Sequence, residues 1–220
     1  MKARRVTSVD PRCPPEAENH EHTRVRGRQQ EALTELTRLA LAAAPLQELF
    51  QAAAERISAA LSDDICGVLQ VSPDVSRLRL TAGVGWMPDR VGSATVDREP
   101  GTLAGYVLQE NGPVVVTSLP EDNRFRTPRL FAEHGIASGM SVKIGPAEEP
   151  WGLLGTFTTR PCHYTREDVR FVTTAADILW DGIVRHRHDE ATHHELSVLN
   201  AAFESAPIGL AILDRELRYK

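Results

Sequence analysis

Cysteine is scarce: Cys13, Cys66 and Cys162 are the three found in 220 residues. An odd number without any C-x-x-C spacing excludes a zinc ribbon or a disulfide frame and fits reduced thiols. Long apolar runs are missing as well. The longest, LALAAAPL and IGLAIL, fall far short of the roughly 20 residues that cross a bilayer, so no membrane span is expected. Behind the basic residues of MKARRVTSVDPRCPPEAENHEHT there is no apolar segment, which argues against a secretory signal and makes the cytoplasm the expected location. No block of like charge occurs and the formal net charge is −5. A phosphate-tracking surface needs clustered lysine and arginine, so nucleic acid is not an expected partner.

The composition, 41% hydrophobic and 25% charged, is that of a globular domain of ordinary size with extensions. Residues 1–27 mix Pro11, Pro14 and Pro15 with charges and little apolar periodicity, and predict a mobile arm. From Arg28 the pattern changes. Leu33, Leu36, Leu39 and Ala40 recur at helical spacing, and after Pro45 a second helix carries Leu46, Leu49, Phe50, Ala53, Ile57, Ala60 and Leu61. ICGVLQV (65–71) and RLRLTAGV (77–84) predict an antiparallel hairpin turning at Ser72, Pro73 and Asp74. A short helix over 101–111, a buried strand over 113–119 and a short helix in RLFAEHG closed by Gly135 come next. Strands over 137–145 and 151–159 form a second hairpin.

The last helix carries the clearest signals. Thr165 is placed to cap it, Glu167 and Asp168 lie where the helix dipole favours anions, and Tyr164 and Val169 occupy hydrophobic-staple positions. Two apolar stripes run along it, one through Val169, Val172, Ala176, Leu179 and Ile183, the other through Phe171, Ala175, Ile178 and Gly182. One stripe can cover the sheet. The other requires the first helix or a second copy of the molecule, so a homodimer through the terminal helices is expected.

This order of elements, with GTLAGYVLQENGPVVVTSL, FAEHGIASGMSVKI, WGLLGTFTTR and YTREDVRFVTTAADILWDGI as landmarks over residues 28–187, resembles a GAF domain. The resemblance implies an α+β, three-layer fold: a five- or six-stranded antiparallel sheet, with N- and C-terminal helices on one face and loops and short helices over the other. It implies a ligand pocket under those loops, a role as the input module of a bacterial signalling protein, and no catalysis in the residues present. LSVLNAAFESAPIGLAILDRELRYK (196–220) looks like the opening of a PAS domain. The expected organisation is therefore an arm at 1–27, a GAF domain at 28–187, a linker helix at 188–198 and the start of a PAS domain at 199–220. Such a pair is typical of sensor histidine kinases, and it also feeds diguanylate cyclases and serine phosphatases. A haem- or tetrapyrrole-bearing sensor and a dimerisation platform without ligand are the other readings.

Several side chains are candidates for chemistry. Bilin-binding relatives carry a Cys-His pair just upstream of the segment matching FAEHGIASG, where this chain has NRFRTPRL; a covalent bilin is therefore not expected. Cys162-His163 falls in the last strand-to-helix loop and is read as filler. No cysteine lies between Cys66 and Cys162, which argues against methionine sulfoxide reductase chemistry. His134 is the histidine nearest to the axial-ligand position of haem-binding relatives, although its spacing to Gly139 differs from theirs, so haem stays open. The fragment DNRF (122–125) supplies only part of a cyclic-nucleotide signature. His186, His188, His193 and His194 offer no pair three or four apart, so no metal is assigned. His186 and His193 share a helix face, and across a parallel dimer their protonation would repel. Asp63-Asp64 and Glu148-Glu149 are read as solvated charges. Trp86 and Trp151 lie near strand ends, in a pocket or in edge packing. The candidate pocket residues are Trp86, Phe131, His134 and Met140, for a small-molecule ligand of unassigned identity.

Overall fold

The computed structural model describes residues 15–73 and 75–205. Helix α1 (Pro15–Leu41) is followed by α2 (Leu46–Leu61), and the hairpin β1 (Ile65–Val71) and β2 (Arg77–Val84) comes next. Strand β3 (Thr95–Asp97), helix α3 (Leu103–Gln109), strand β4 (Val114–Val116), a single 3₁₀ turn (Leu119–Glu121) and helix α4 (Arg129–Glu133) lead to the hairpin β5 (Ser138–Ile144) and β6 (Gly152–Thr158). Helix α5 (Arg166–Ser205) is last.

The six strands form one antiparallel sheet in the order β3-β2-β1-β6-β5-β4. Both expected hairpins are present, and the central pair β1 and β6 closes the sheet between them. Because side chains alternate across a strand, the register divides the sheet cleanly. Cys66, Val68, Met140, Val142, Ile144, Leu154 and Thr156 share the face that packs on α2, whose Leu49, Phe50, Ala53, Ala54, Ile57 and Ala60 are all buried. Ile65, Leu69, Leu153 and Phe157 point to the other face, under α3 and α4.

Two local departures from regularity set the later geometry. Helix α2 ends at Ser62 in a left-handed conformation (φ 58°), where the Ser62 N–H returns to Ser58 O and the Asp63 N–H does the same at 3.0 Å. A non-glycine residue in this region costs about 1–2 kcal/mol, so surrounding bonds must hold it. Ser58 Oγ supplies one, donating to Asp63 O at 2.7 Å. Between Val68 and Leu69 the β1–β2 register slips by a bulge, which strengthens the local twist.

Helix α5 divides between two compact units, residues up to Gly182 and from Ile183 onward. In the first unit its stripe residues Phe171, Val172, Ala175, Ala176 and Leu179 are buried. A Cβ added at Gly182 would lie 2.5 Å from Leu49 Cδ2 and 3.6 Å from Ala40 Cβ, which brings α5 against both α1 and α2. The first helix is thus one of the partners that the second stripe required. In the second unit, His186 pairs with Glu190 at 3.3 Å and Thr192 Oγ1 donates to His188 O at 3.0 Å. The side chains of His193 and His194 lie outside the described residues.

The expected elements need two corrections. Helix α1 starts at Pro15 rather than Arg28, so residues 15–27 are helical rather than part of an unstructured arm; residues 1–14 lie outside the described residues. Strand β3 has no counterpart among the expected elements. Residues 188–205 continue α5 without a break, and the rest of the segment compared with a PAS domain, 206–220, is outside the described residues. Among the described residues no helix is long and apolar enough to cross a membrane.

Candidate functional site

The sheet face under α3 and α4 is paved with glycine. A Cβ at Gly67 would stand 3.0 Å from Trp86 Nε1, and one at Gly83 would stand 2.5 Å from Trp86 Cδ1. On the next strands, a Cβ at Gly139 would lie 2.3 Å from Phe157 Cδ1 and one at Gly155 2.5 Å from Phe157 Cζ. Glycine inside a strand marks a close approach to the backbone, and here the approaching groups are two rings of the chain itself, joined at Gly67 by Leu80 Cδ1 at 2.8 Å. Gly85 (φ 79°) makes the turn that folds Trp86 back over β1 and β2; any side chain there would collide with Asp64 O at 2.1 Å. The indole Nε1–H then donates to Cys66 O at 2.8 Å, which satisfies the one polar atom of the buried ring.

Phe131 from α4 completes the aromatic layer, edge-on to Phe157 with centroids 4.5 Å apart and 6.1 Å from Trp86. His134 packs edge-on to Trp86 at 5.0 Å. Its ring nitrogens are both in use: Nε2 accepts the Met87 N–H at 3.0 Å and Nδ1–H donates to Leu130 O at 2.7 Å. That pattern defines the neutral imidazole. Arg90, from the same loop as Met87, pairs with Glu133 of α4 at 2.8 Å, and Arg129 also reaches Glu133 at 2.8 Å. The β2–β3 loop and α4 are therefore clasped together over the rings.

Of the four pocket candidates, Trp86, Phe131 and His134 meet in this layer. Met140 does not. It pairs with Thr156 and lies, 1% exposed, on the opposite face with α2, one position out of phase with Gly139. Phe157 and the four glycines escaped the reading of the sequence; glycines on adjacent strands were the signal available. The residues present do not fit a haem or bilin on this face, because His134 has no nitrogen to give and the rings cover the floor. The Cys66 thiol points to the α2 face and Cys162 sits in the β6–α5 loop, so neither thiol lies on the face that carries the layer. Among the described residues no cluster of three or more metal-ligating side chains occurs.

A second cluster lies at the junction of α2 and β1, where the expectation of solvated charge at Asp63-Asp64 fails for Asp63, while Asp64 is exposed. Asp63 is 8% exposed. Its Oδ2 accepts Thr156 Oγ1–H at 2.6 Å and Tyr164 Oη–H at 3.1 Å. Burial pushes its carboxyl up to about 6, partly offset by those two donors and reinforced by the negative charges of Asp168 and Asp64. Burial and the same carboxylate raise the Cys66 thiol and the Tyr164 phenol, so both stay protonated. Asp64 is the opposite case. Its Oδ2 accepts the Thr159 N–H (2.8 Å) and the hydroxyls of Thr158 and Thr159 (2.9 Å each), which hold its carboxyl below the usual range.

The start of α5 adjoins this cluster. Thr165 Oγ1 accepts the Asp168 N–H at 3.2 Å while Asp168 Oδ2 accepts the Thr165 N–H at 2.9 Å, a reciprocal cap with aspartate in the usual glutamate position. Asp168 Oδ1 also accepts from Gln29 Nε2 of α1 at 2.8 Å. Helix α5 is thereby fixed at its first turn to α1, and through Tyr164 to the sheet.

A family model described as "GAF domain" matches residues 45–183. No curated protein matches the chain in sequence. Among solved structures, the GAF domain of a phosphoenolpyruvate-protein phosphotransferase from Coxiella burnetii is 21% identical, covering 74% of this chain and 97% of that one with a TM-score of 0.66. A phycoerythrobilin-bound GAF domain from a cyanobacterial phytochrome is 14% identical over 74% of this chain and 98% of its own, with a TM-score of 0.61. A domain of a putative two-component sensor histidine kinase protein from Sinorhizobium meliloti 1021 is 20% identical over 68% and 97%, with a TM-score of 0.55. At these identities the likeness shows the fold.

Proposed function

Because this chain belongs to the GAF family, a family of signalling modules, we propose that it is the sensory input domain of a cytoplasmic sensor histidine kinase and passes its state through α5 to a PAS domain. The observation that carries the proposal is α5 itself. It is unbroken from Arg166 to Ser205, and its first turn is bonded to α1 while its connector is bonded to the sheet. A rearrangement of the sheet or of its covering loops changes the bonds that hold the helix, and a rod carries such a change along its length. The kinase-derived neighbour supports the choice of output. The chain performs no catalysis of its own in this reading, and it works as a homodimer through its terminal helices.

One feature of the structure favours a second reading of the input. Trp86, Phe131 and Phe157 already occupy the glycine floor where a planar ligand would lie. The stimulus is then a partner or a conformational state that opens the α4 clasp, and the domain serves as a dimerisation platform with a self-filled pocket. Autophosphorylation of the full-length protein, with and without residues 1–182, tests the proposal. A changed basal rate on deletion is expected, and an unchanged rate would contradict it.

A further inference from the structure

Adjacent aspartates at the α2–β1 junction reach across to the segment that joins β6 to α5, and they do so in different chemical states. Asp64 accepts three hydrogen bonds from Thr158 and Thr159 and stays charged. It pins the end of β6. Asp63 reaches farther along the connector, to Tyr164, two residues before α5 begins, and also holds Thr156 inside the sheet. The titratable groups facing Asp63 are Asp64 on its own segment, Cys66 on β1, Tyr164 on the connector and Asp168 on α5. None is cationic. A buried carboxylate without a cation depends on O–H donors to offset its lost hydration, and here there are two.

We propose that Asp63 is a proton-operated latch on the β6–α5 connector: as a carboxylate it clasps Tyr164 to the sheet, and on protonation it lets Tyr164 go while keeping Thr156. The two bonds are unequal, 2.6 Å to Thr156 and 3.1 Å to Tyr164. Charge assistance roughly doubles the strength of such bonds, so losing the charge weakens both, and the longer one gives first. Asp64 remains charged throughout and keeps residues 158–159 in place, Ser138 Oγ–H holds Arg160 O at 2.7 Å and the reciprocal cap holds Thr165, which confines the freed segment to residues 161–164. The rise of Asp63 to about 6 puts the change near neutral pH, where an ordinary aspartate would have no effect. The latch is a property of the connector and holds whichever module receives α5.

The test follows the Asp63 carboxyl carbon and the amides of Thr165 and Asp168 by NMR in the 220-residue chain, from about pH 4.5 to 8. In the unaltered protein all three are expected to move with one midpoint near 6. In Tyr164→Phe the Asp63 carbon still titrates, at a higher midpoint because a donor to the charged form is gone, and the amide steps shrink severalfold. In Asp63→Asn the amide steps vanish. Should that variant fail to fold, Tyr164→Phe decides alone. An Asp63 midpoint near about 4, or amide steps of undiminished size in Tyr164→Phe, would overturn the proposal.

Discussion

Replacing Asp63 with asparagine is predicted to leave the protein as stable as before or more so at neutral pH, against the usual expectation for a buried, doubly hydrogen-bonded residue. The carboxyl sits at about 6 in the folded chain against about 4 in an unfolded one, so between those values the folded state holds more protons. Stability from this group is then greatest at acid pH and falls as pH rises toward 6, by about 3 kcal/mol in total. Asparagine keeps an acceptor oxygen for Thr156 and never carries the buried charge. The difference between variant and parent should therefore be near zero around pH 4 and grow to as much as about 3 kcal/mol in favour of the variant near pH 7.5, less whatever the new amide N–H₂ costs if poorly partnered. Urea unfolding of both proteins across this range measures it. Taking the difference cancels Asp64 and Asp122, whose lowered carboxyl values act in the opposite direction. A difference independent of pH, or one that turns against the variant as pH rises, would refute the reasoning.

Further outcomes concern the aromatic layer and the helix cap. Trp86→Ala removes a buried indole and its bond to Cys66 O and should lower unfolding free energy by about 3–5 kcal/mol. Gly139→Ala drives a methyl group into Phe157 and into Thr156 O at 2.6 Å, so denaturant unfolding should show a loss of about 1–3 kcal/mol or more. Thr165→Ala deletes the α5 cap and should cost about 1 kcal/mol, read by the same method. The purified protein should show no visible absorption band. A Soret or bilin band would mean that the rings over the glycine floor move aside.

Much of this architecture is legible in residue order because helices and hairpins announce themselves by period. The Leu49, Phe50, Ala53, Ile57 series and the two strand pairs need no tertiary information. Strand β3 does, since Thr95–Asp97 is too short to show alternation. The start of α1 is hidden because Pro14 and Pro15 read as breakers, although proline is well suited to the first turn of a helix. Met140 falls on the face opposite to the one expected because facing depends on register against β6, which a single strand does not reveal. Asp63 is the instructive miss. Adjacent acids after a helix look solvated, and what buries Asp63 is the left-handed turn at Ser62 together with partners about a hundred residues away, Thr156 and Tyr164.

Transmission through α5 is tested most directly by helix phase. One to seven alanines inserted after Ala191 of the full-length protein rotate the downstream part of the helix by about 100° each, with autophosphorylation as the readout. The account predicts output that rises and falls with the helical repeat and returns toward the parental rate at seven. Output that declines steadily with insert length, or does not change at all, would contradict it.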